Sequence, residues 1–184
     1  MTVQGSEDSV TPSALANVAV AKQGGPDHAG AAATAEAGAM STLRPPGPPV
    51  LRLTGRKVVG GVAEGEALVT HDHVSGWGGV DARTGTIVET HHELRGQSFA
   101  GKVLVFPGAK GSSGWSATFH LARLMHKAPA AMVFTEMTTK IALGAVVTRA
   151  PALTDFDQDP IELIRTGDWV RVDADAGVLE VYRR

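Results

Sequence analysis

Two uninterrupted apolar runs dominate the pattern of the chain. They are Lys102-Val-Leu-Val-Phe106, ended by Pro107-Gly108, and Ala130-Ala-Met-Val-Phe134. Runs of this length without polar alternation predict strands buried on both faces. Between them, Trp115–Lys127 places Phe119, Ala122, Leu124 and Met125 at helical spacing with no Gly or Pro in the way. The order strand, loop, helix, strand predicts a right-handed parallel βαβ unit. Clean alternation returns in Trp169–Asp173 and Val178–Tyr182, which flank Ala174-Asp-Ala-Gly177 and predict a terminal hairpin. Shorter segments complete the reading. Lys57–Gly60 and Glu66–Val69 predict a hairpin across a Gly-rich connection, Gly85–Glu89 a short strand, and Ala145–Thr148 a third buried strand. Asp159-Pro160 predicts a short helix through Arg165, with Pro at its first position. The fold class is α/β and rich in β, with antiparallel hairpins beside a small parallel layer.

Composition changes this picture at one place. Residues 1–50 hold eleven Ala, six Gly, six of the ten Pro and no aromatic residue. Such a segment cannot bury enough to offset its ordering entropy, which predicts a disordered tail over 1–50 and one folded domain over 51–184. Within the tail, Ala31–Ala39 predicts a transient helix and Arg44-Pro-Pro-Gly-Pro-Pro-Val50 a stiff spacer. The net charge of −2 lies wholly in the tail, since residues 51–184 carry fifteen cations and fifteen anions. No basic surplus exists for phosphate backbones, so no nucleic-acid partner is expected. No apolar run approaches the roughly 20 residues of a membrane span, so no membrane association is expected either. The N-terminus lacks a basic segment followed by an apolar one, and a cytoplasmic location is the expectation. The chain has no Cys. It therefore supplies no catalytic thiol, disulfide or Cys-ligated zinc or iron–sulfur site of its own.

The most informative polar segment is Gly108-Ala-Lys-Gly-Ser-Ser-Gly114. It joins a predicted buried strand to a predicted helix, where free backbone N–H groups and the helix dipole favour a carboxylate or phosphate. Lys110 adds positive charge, and Ser112, Ser113 and Ser116 add hydroxyls at the same mouth. It is not a Walker A loop, because the order of Gly, Lys and Ser differs. A plain helix cap by Ser112 or Ser113 explains the same residues. Ser75-Gly-Trp-Gly-Gly-Val-Asp81 is the second unusual segment. Its three glycines predict a tight loop that either presents backbone to a ligand or partner, or packs Trp77 beneath a turn. His71-Asp-His73 would put two imidazoles on one strand face, but no third metal ligand is in view. His91 and His92 open a loop near Gly96, and His120 and His126 fall on the predicted helix. Asp155, Asp157 and Asp159 alternate like the start of a calcium loop but lack its Gly and terminal Glu. No nucleophile elbow is present.

These segments, in this order, resemble the aconitase X swivel domain family over about residues 54–173. The matching stretches are Gly55-Arg-Lys-Val-Val59, Ala63–Val69, Ser75–Ile87, His91–Gly96, Ala100–Val105, Gly111–Ser116, Lys127–Ala131 and Ile141–Ala145. The chain departs from the family's habit with Gly at 76, where a bulky residue is usual, and Glu at 93, where Pro is usual. It keeps a cation followed by Gly at Lys110-Gly111. The resemblance implies a single swivelling β/β/α domain, similar to the mobile domain of aconitase. It implies the small subunit of a heteromeric dehydratase that is active only with a larger, Cys-containing catalytic subunit. No cofactor is then bound by this chain alone, and an iron or iron–sulfur centre is expected on the large subunit. By the same resemblance Ser112 is the proton acceptor; Lys110, Gly111, Ser113 and Ser75 are the residues expected to bind a small carboxylate substrate. The first expectation for that substrate is cis-3-hydroxy-L-proline, with mevalonate 5-phosphate as the alternative. Two other classes compete with this reading. One is a non-catalytic anion-binding module built on the same loop. The other is a phosphohistidine swivel domain, which lacks its reactive His context here.

Overall fold

A computed structural model describes residues 44–45 and 47–183. Of the predicted disordered tail over 1–50, residues 1–43, with the predicted transient helix, lie outside the described residues. Arg44 and Pro45 lie against the domain: the Arg44 guanidinium sits 4.9 Å from the Tyr182 ring centre and 3.6 Å from Glu64, and Pro45 is buried.

Eight strands form one sheet. They are β1 (Leu51–Thr54), β2 (Arg56–Val59), β3 (Val62–Val69), β7 (Val103–Phe106), β9 (Ala131–Phe134), β10 (Ala152–Thr154), β11 (Trp169–Asp173) and β12 (Val178–Tyr182), in the order β1-β12-β11-β3-β7-β9-β10-β2. Strands β3, β7, β9 and β10 run parallel, and every other pairing is antiparallel. The two edge strands β1 and β2 are separated in sequence only by Gly55. One bent segment thus supplies both edges, and the sheet must roll up to bring them together. Three contacts mark the seam. Thr54 and Asp157 exchange hydrogen bonds, the Gly55 N–H donates to the Gly177 carbonyl, and a Cβ at 55 would collide with the Phe156 ring.

The apolar runs behave as expected. All four residues of β7 and of β9 are buried. Their period of two divides them between two cores. Val103, Val105, Ala131 and Val133 join Leu53, Leu153, Val170, Val172, Leu179 and Val181 inside the rolled sheet. Leu104, Phe106, Met132 and Phe134 face the opposite side. Two helices cover that side, α1 (Gly114–Leu124) and α2 (Thr139–Thr148). Helix α1 turns its buried Trp115, Thr118, Phe119 and Ala122 inward, and the Trp115 and Phe119 rings stack 4.0 Å apart. The βαβ unit and the terminal hairpin are therefore present. The helix at Asp159-Pro160 is present too, as the single turn α3 (Pro160–Leu163), with Asp159 accepting from the Ile161 N–H. It is shorter than expected.

Three expectations need correction. Lys57–Gly60 and Glu66–Val69 do not form a hairpin. Strand β2 pairs with β10, and β3 pairs with β11 and β7. The Gly60-Gly61 link is held by the Asp175 carboxylate, which accepts from the Gly61 N–H at 3.0 Å, and this link carries the chain around the roll instead of folding it back. Ala145–Thr148 is the end of helix α2, not a strand. Its buried positions Ile141, Gly144, Ala145 and Thr148 follow helical spacing, and the third parallel strand is Ala152–Thr154. Gly85–Glu89 contracts to β6 (Thr86–Ile87), which pairs with β5 (Val80–Asp81) in a small ribbon.

Candidate functional site

The loops that follow parallel strands β3, β7 and β9 gather at one end of the sheet, the usual place for a ligand in open α/β layers. Strands β4 (Val74–Ser75) and β8 (Ala109–Lys110) pair there in parallel, with Ser75 opposite Lys110. Helix α1 begins four residues after Lys110. Trp115, fully buried, ties these parts together, since its indole N–H donates to the Val74 carbonyl at 2.9 Å. Space for it is made by two glycines. A Cβ on Gly76 would overlap the Trp115 backbone, and one on Gly144 would overlap its ring.

The structure brings Ser75 and Lys110 together around a residue that the sequence reading passes over, Glu89. Its Oε1 lies 2.6 Å from Lys110 Nζ. Burial by itself pushes the Glu89 carboxyl up. The bond from Lys110, the Ser75 hydroxyl and the positive charge of Lys110 outweigh this and hold it below the usual carboxylate range. Its second oxygen is buried without a partner among the described residues. Part of the Lys110 charge is thus spent within the protein. No motif marks Glu89. The only available signal is an acid placed at the end of an otherwise apolar short strand.

Gly111, Ser112 and Ser113 form the lip of the site. Gly111 has φ +85°, a conformation that favours glycine. Ser112 and Ser113 are exposed. Ser113 occupies the N-cap position but makes no side-chain capping bond. Ser112 Oγ instead accepts from the Gly114 N–H at 3.3 Å. The Ser112 and Ser113 amides engage no partner among the described residues. The lip therefore presents two hydroxyls and two N–H groups at the positive end of α1. Ser116 turns away to its own helix, donating to the Ser113 carbonyl. Trp77 stands beside the lip and is 82% exposed, so it does not pack beneath its turn. A groove of about 530 Å³ runs from it past Val80, Ala82, Ala117 and Leu121.

The other candidates serve the scaffold. His71 and His73 do not share a strand face. His71 lies between Glu93 and Glu162, while His73 Nε2 lies 2.8 Å from Glu136. His92 is 4% exposed, and its Nδ1 accepts from the Leu94 N–H. Burial pushes its pKa down, against the charges of Asp72 and Glu89. Asp155 pairs with Arg56, Asp157 accepts from the Thr54 N–H, and Asp159 caps α3. Among the described residues no group of three or more His, Asp or Glu side chains is arranged to hold a metal ion, and the chain has no Cys. No helix among the described residues is long and apolar enough to cross a membrane.

The aconitase X swivel domain family model matches residues 52–181. The phosphomevalonate dehydratase small subunit of Thermococcus kodakarensis is 42% identical over 131 residues, spanning 71% of this chain and 96% of that protein. Its counterpart in Methanocella arvoryzae is 40% identical, spanning 71% of this chain and 99% of that one. The crystal structure of holo aconitase X from Thermococcus kodakaraensis superposes with a TM-score of 0.68 at 41% identity, covering 72% of this chain and 99% of that chain. A likeness in sequence and structure that spans the rolled sheet, the paired loops and the Lys110–Gly114 lip places this chain in the aconitase X swivel domain family.

Proposed function

We propose that this chain is the small, swivelling subunit of an aconitase X-type hydro-lyase whose substrate is a phosphorylated 3-hydroxy acid of the mevalonate 5-phosphate class. The observation that carries the reading is the exposed lip Gly111–Gly114, set at the start of α1 inside the matched region. The sequence alone put cis-3-hydroxy-L-proline first. The relatives compared above carry the phosphomevalonate name, which favours the second substrate.

Dehydration takes a proton from one carbon and hydroxide from its neighbour, and the C–H electron pair becomes the new double bond. Ser112 accepts the proton at Oγ. Serine is a weak base, so its alkoxide needs fixed donors. The Gly114 N–H already points at Oγ, and the open amides and dipole of α1 favour negative charge at the same place. The Ser113 hydroxyl, the lip amides and Lys110 hold the substrate's anionic group. Departure of the hydroxide is assisted by groups this chain does not contain. An iron or iron–sulfur centre acting there as a Lewis acid would reside on a larger, Cys-containing partner. Trp77 and its groove, beside the lip, are where that partner docks, and closure of the two chains excludes water from the site. The setting for this work is the cytoplasm.

The test is the complex co-purified with its large subunit and assayed on mevalonate 5-phosphate and on cis-3-hydroxy-L-proline. Ser112→Ala should lower kcat by about 10²–10⁴ with little change in KM. Its stability cost should be a few tenths of a kcal/mol, well under a full cap, because the Gly114 bond is long and exposed. Near-normal turnover by Ser112→Ala would remove the residue from the mechanism. A chain that binds anions but forms no active complex would favour the non-catalytic module.

A further inference from the structure

Lys140 stands at the second position of α2, and the first turn of that helix holds no acid. A cation there meets the positive end of the helix dipole, which is unfavourable. Nothing in the helix compensates. Glu136, four residues earlier, gives its Oε2 to His73 at 2.8 Å. Lys140 Nζ is instead directed across to the next loop, where it donates to the Gly111 carbonyl at 2.7 Å. This is a side chain placed against its local preference to hold one backbone oxygen.

That oxygen belongs to the peptide between Gly111 and Ser112. The peptide is planar and trans, so a carbonyl fixed on Lys140 sends the Ser112 N–H the opposite way. With φ +85°, Gly111 would otherwise have ready access to other conformations, because a glycine loses nothing by leaving the left-handed region. We infer that Lys140 is a positioning residue for Ser112: it locks the Gly111–Ser112 peptide plane and so sets the direction of the Ser112 amide and Oγ. The catalytic part of this inference rests on Ser112 being the proton acceptor.

The experiment uses the full-length chain in complex with its large subunit. Lys140→Met should lower kcat about ten- to a hundredfold and raise KM by a smaller factor, because the Ser112 amide whose direction it sets is one of several groups that hold the substrate. Lys140→Arg, which can still donate to the carbonyl, should recover most of the loss. In a Ser112→Ala background, Lys140→Met should add nothing further to the loss of kcat. A second readout is independent of turnover. The Gly114 and Trp115 amides bond to Ser112 Oγ and to the Ser112 carbonyl. Their hydrogen exchange should speed up about fivefold in Lys140→Met, the worth of one net hydrogen bond. Strands β7 and β9 should be unchanged. Unaltered exchange at Gly114 and Trp115 overturns the positioning role. So does a change confined to KM, or a loss that multiplies with that of Ser112→Ala. Full turnover by Ser112→Ala alone overturns the proton-acceptor reading itself, and the exchange readout then shows whether the loop contact stands without it.

Discussion

Replacing Glu89 with Gln removes one charge and almost no volume. In the native chain Glu89 Oε1 lies 2.6 Å from Lys110 Nζ, with 26% and 41% of the two side chains exposed. Water reaches the pair, so it is worth less than a fully buried bridge, and a charge-assisted bond in this setting contributes about 1–2 kcal/mol. Gln keeps an acceptor for Lys110 but leaves the ammonium half-buried without a counter-charge, so a loss of that size is expected at neutral pH. The dependence on pH separates charge from packing. Burial alone raises the Glu89 pKa, yet the bond from Lys110, the Ser75 hydroxyl and the Lys110 charge bring it below its ordinary value. A carboxylate depressed by folding contributes stability that is fully present above its unfolded pKa, about 4.3. That stability is lost as pH falls through the folded value. The gap between the native protein and Glu89→Gln should therefore be widest near neutrality and close below about pH 4. Glu93 is also held low, first by a hydrogen bond from Thr70, so both proteins keep an acid limb and only the difference isolates Glu89. Urea denaturation across this range measures it. A gap of constant size from neutral to acid pH would refute the argument, because the loss would then be one of packing.

Two further expectations concern the surroundings of the site. Gly144→Ala should destabilise the chain by about 1–3 kcal/mol in chemical denaturation, since the added Cβ overlaps the buried Trp115 ring. Without that clash the same change in a helix interior would stabilise by up to about 1 kcal/mol, so a gain in stability sinks the account. Trp77→Ala should leave the melting temperature of the isolated chain unchanged and weaken its association with the large subunit by about 2–4 kcal/mol, as an exposed aromatic anchor would. Titration calorimetry on the two purified chains checks this, and unaltered affinity removes Trp77 from the interface.

The parts of the fold legible in the sequence are those whose cause is local. Val103–Phe106 and Ala131–Phe134 lie between two cores, and the need to be apolar on both faces writes itself into consecutive residues. The terminal hairpin is legible because its turn and its alternation adjoin. Strand β2 is not, because its partner β10 lies almost a hundred residues away and pairing at that range leaves no local mark. Helix α2 misleads because Ala145-Val-Val-Thr148 is short, β-branched and apolar, and its helical period shows only when Ile141 is counted with it. At the site, the glycines and serines of the lip are legible as a motif. Glu89 and Lys140 are single charged residues on other segments, and only the folded chain shows that they hold Lys110 and Gly111.

Trp115 and the glycine at 76 are one choice, not two. The family resemblance leads to a bulky side chain at 76, yet here the Trp115 backbone occupies the space a Cβ would need. Gly76, which follows β4, and the start of α1 therefore meet backbone to backbone. The ring in turn needs Gly144, because α2 must approach it closely. Three positions on three elements are thus coupled, and restoring a large residue at 76 alone should cost more than the sum of separate effects would suggest. The arrangement bears directly on the chemistry. Trp115 follows the lip immediately, and its bond to the Val74 carbonyl fixes the start of α1 against the strand that carries Ser75. That bond ties the start of α1, and the lip before it, to the segment that carries Ser75. For Ser112 as the proposed base, Trp115 would be the rigid support that a loop rich in glycine does not itself provide.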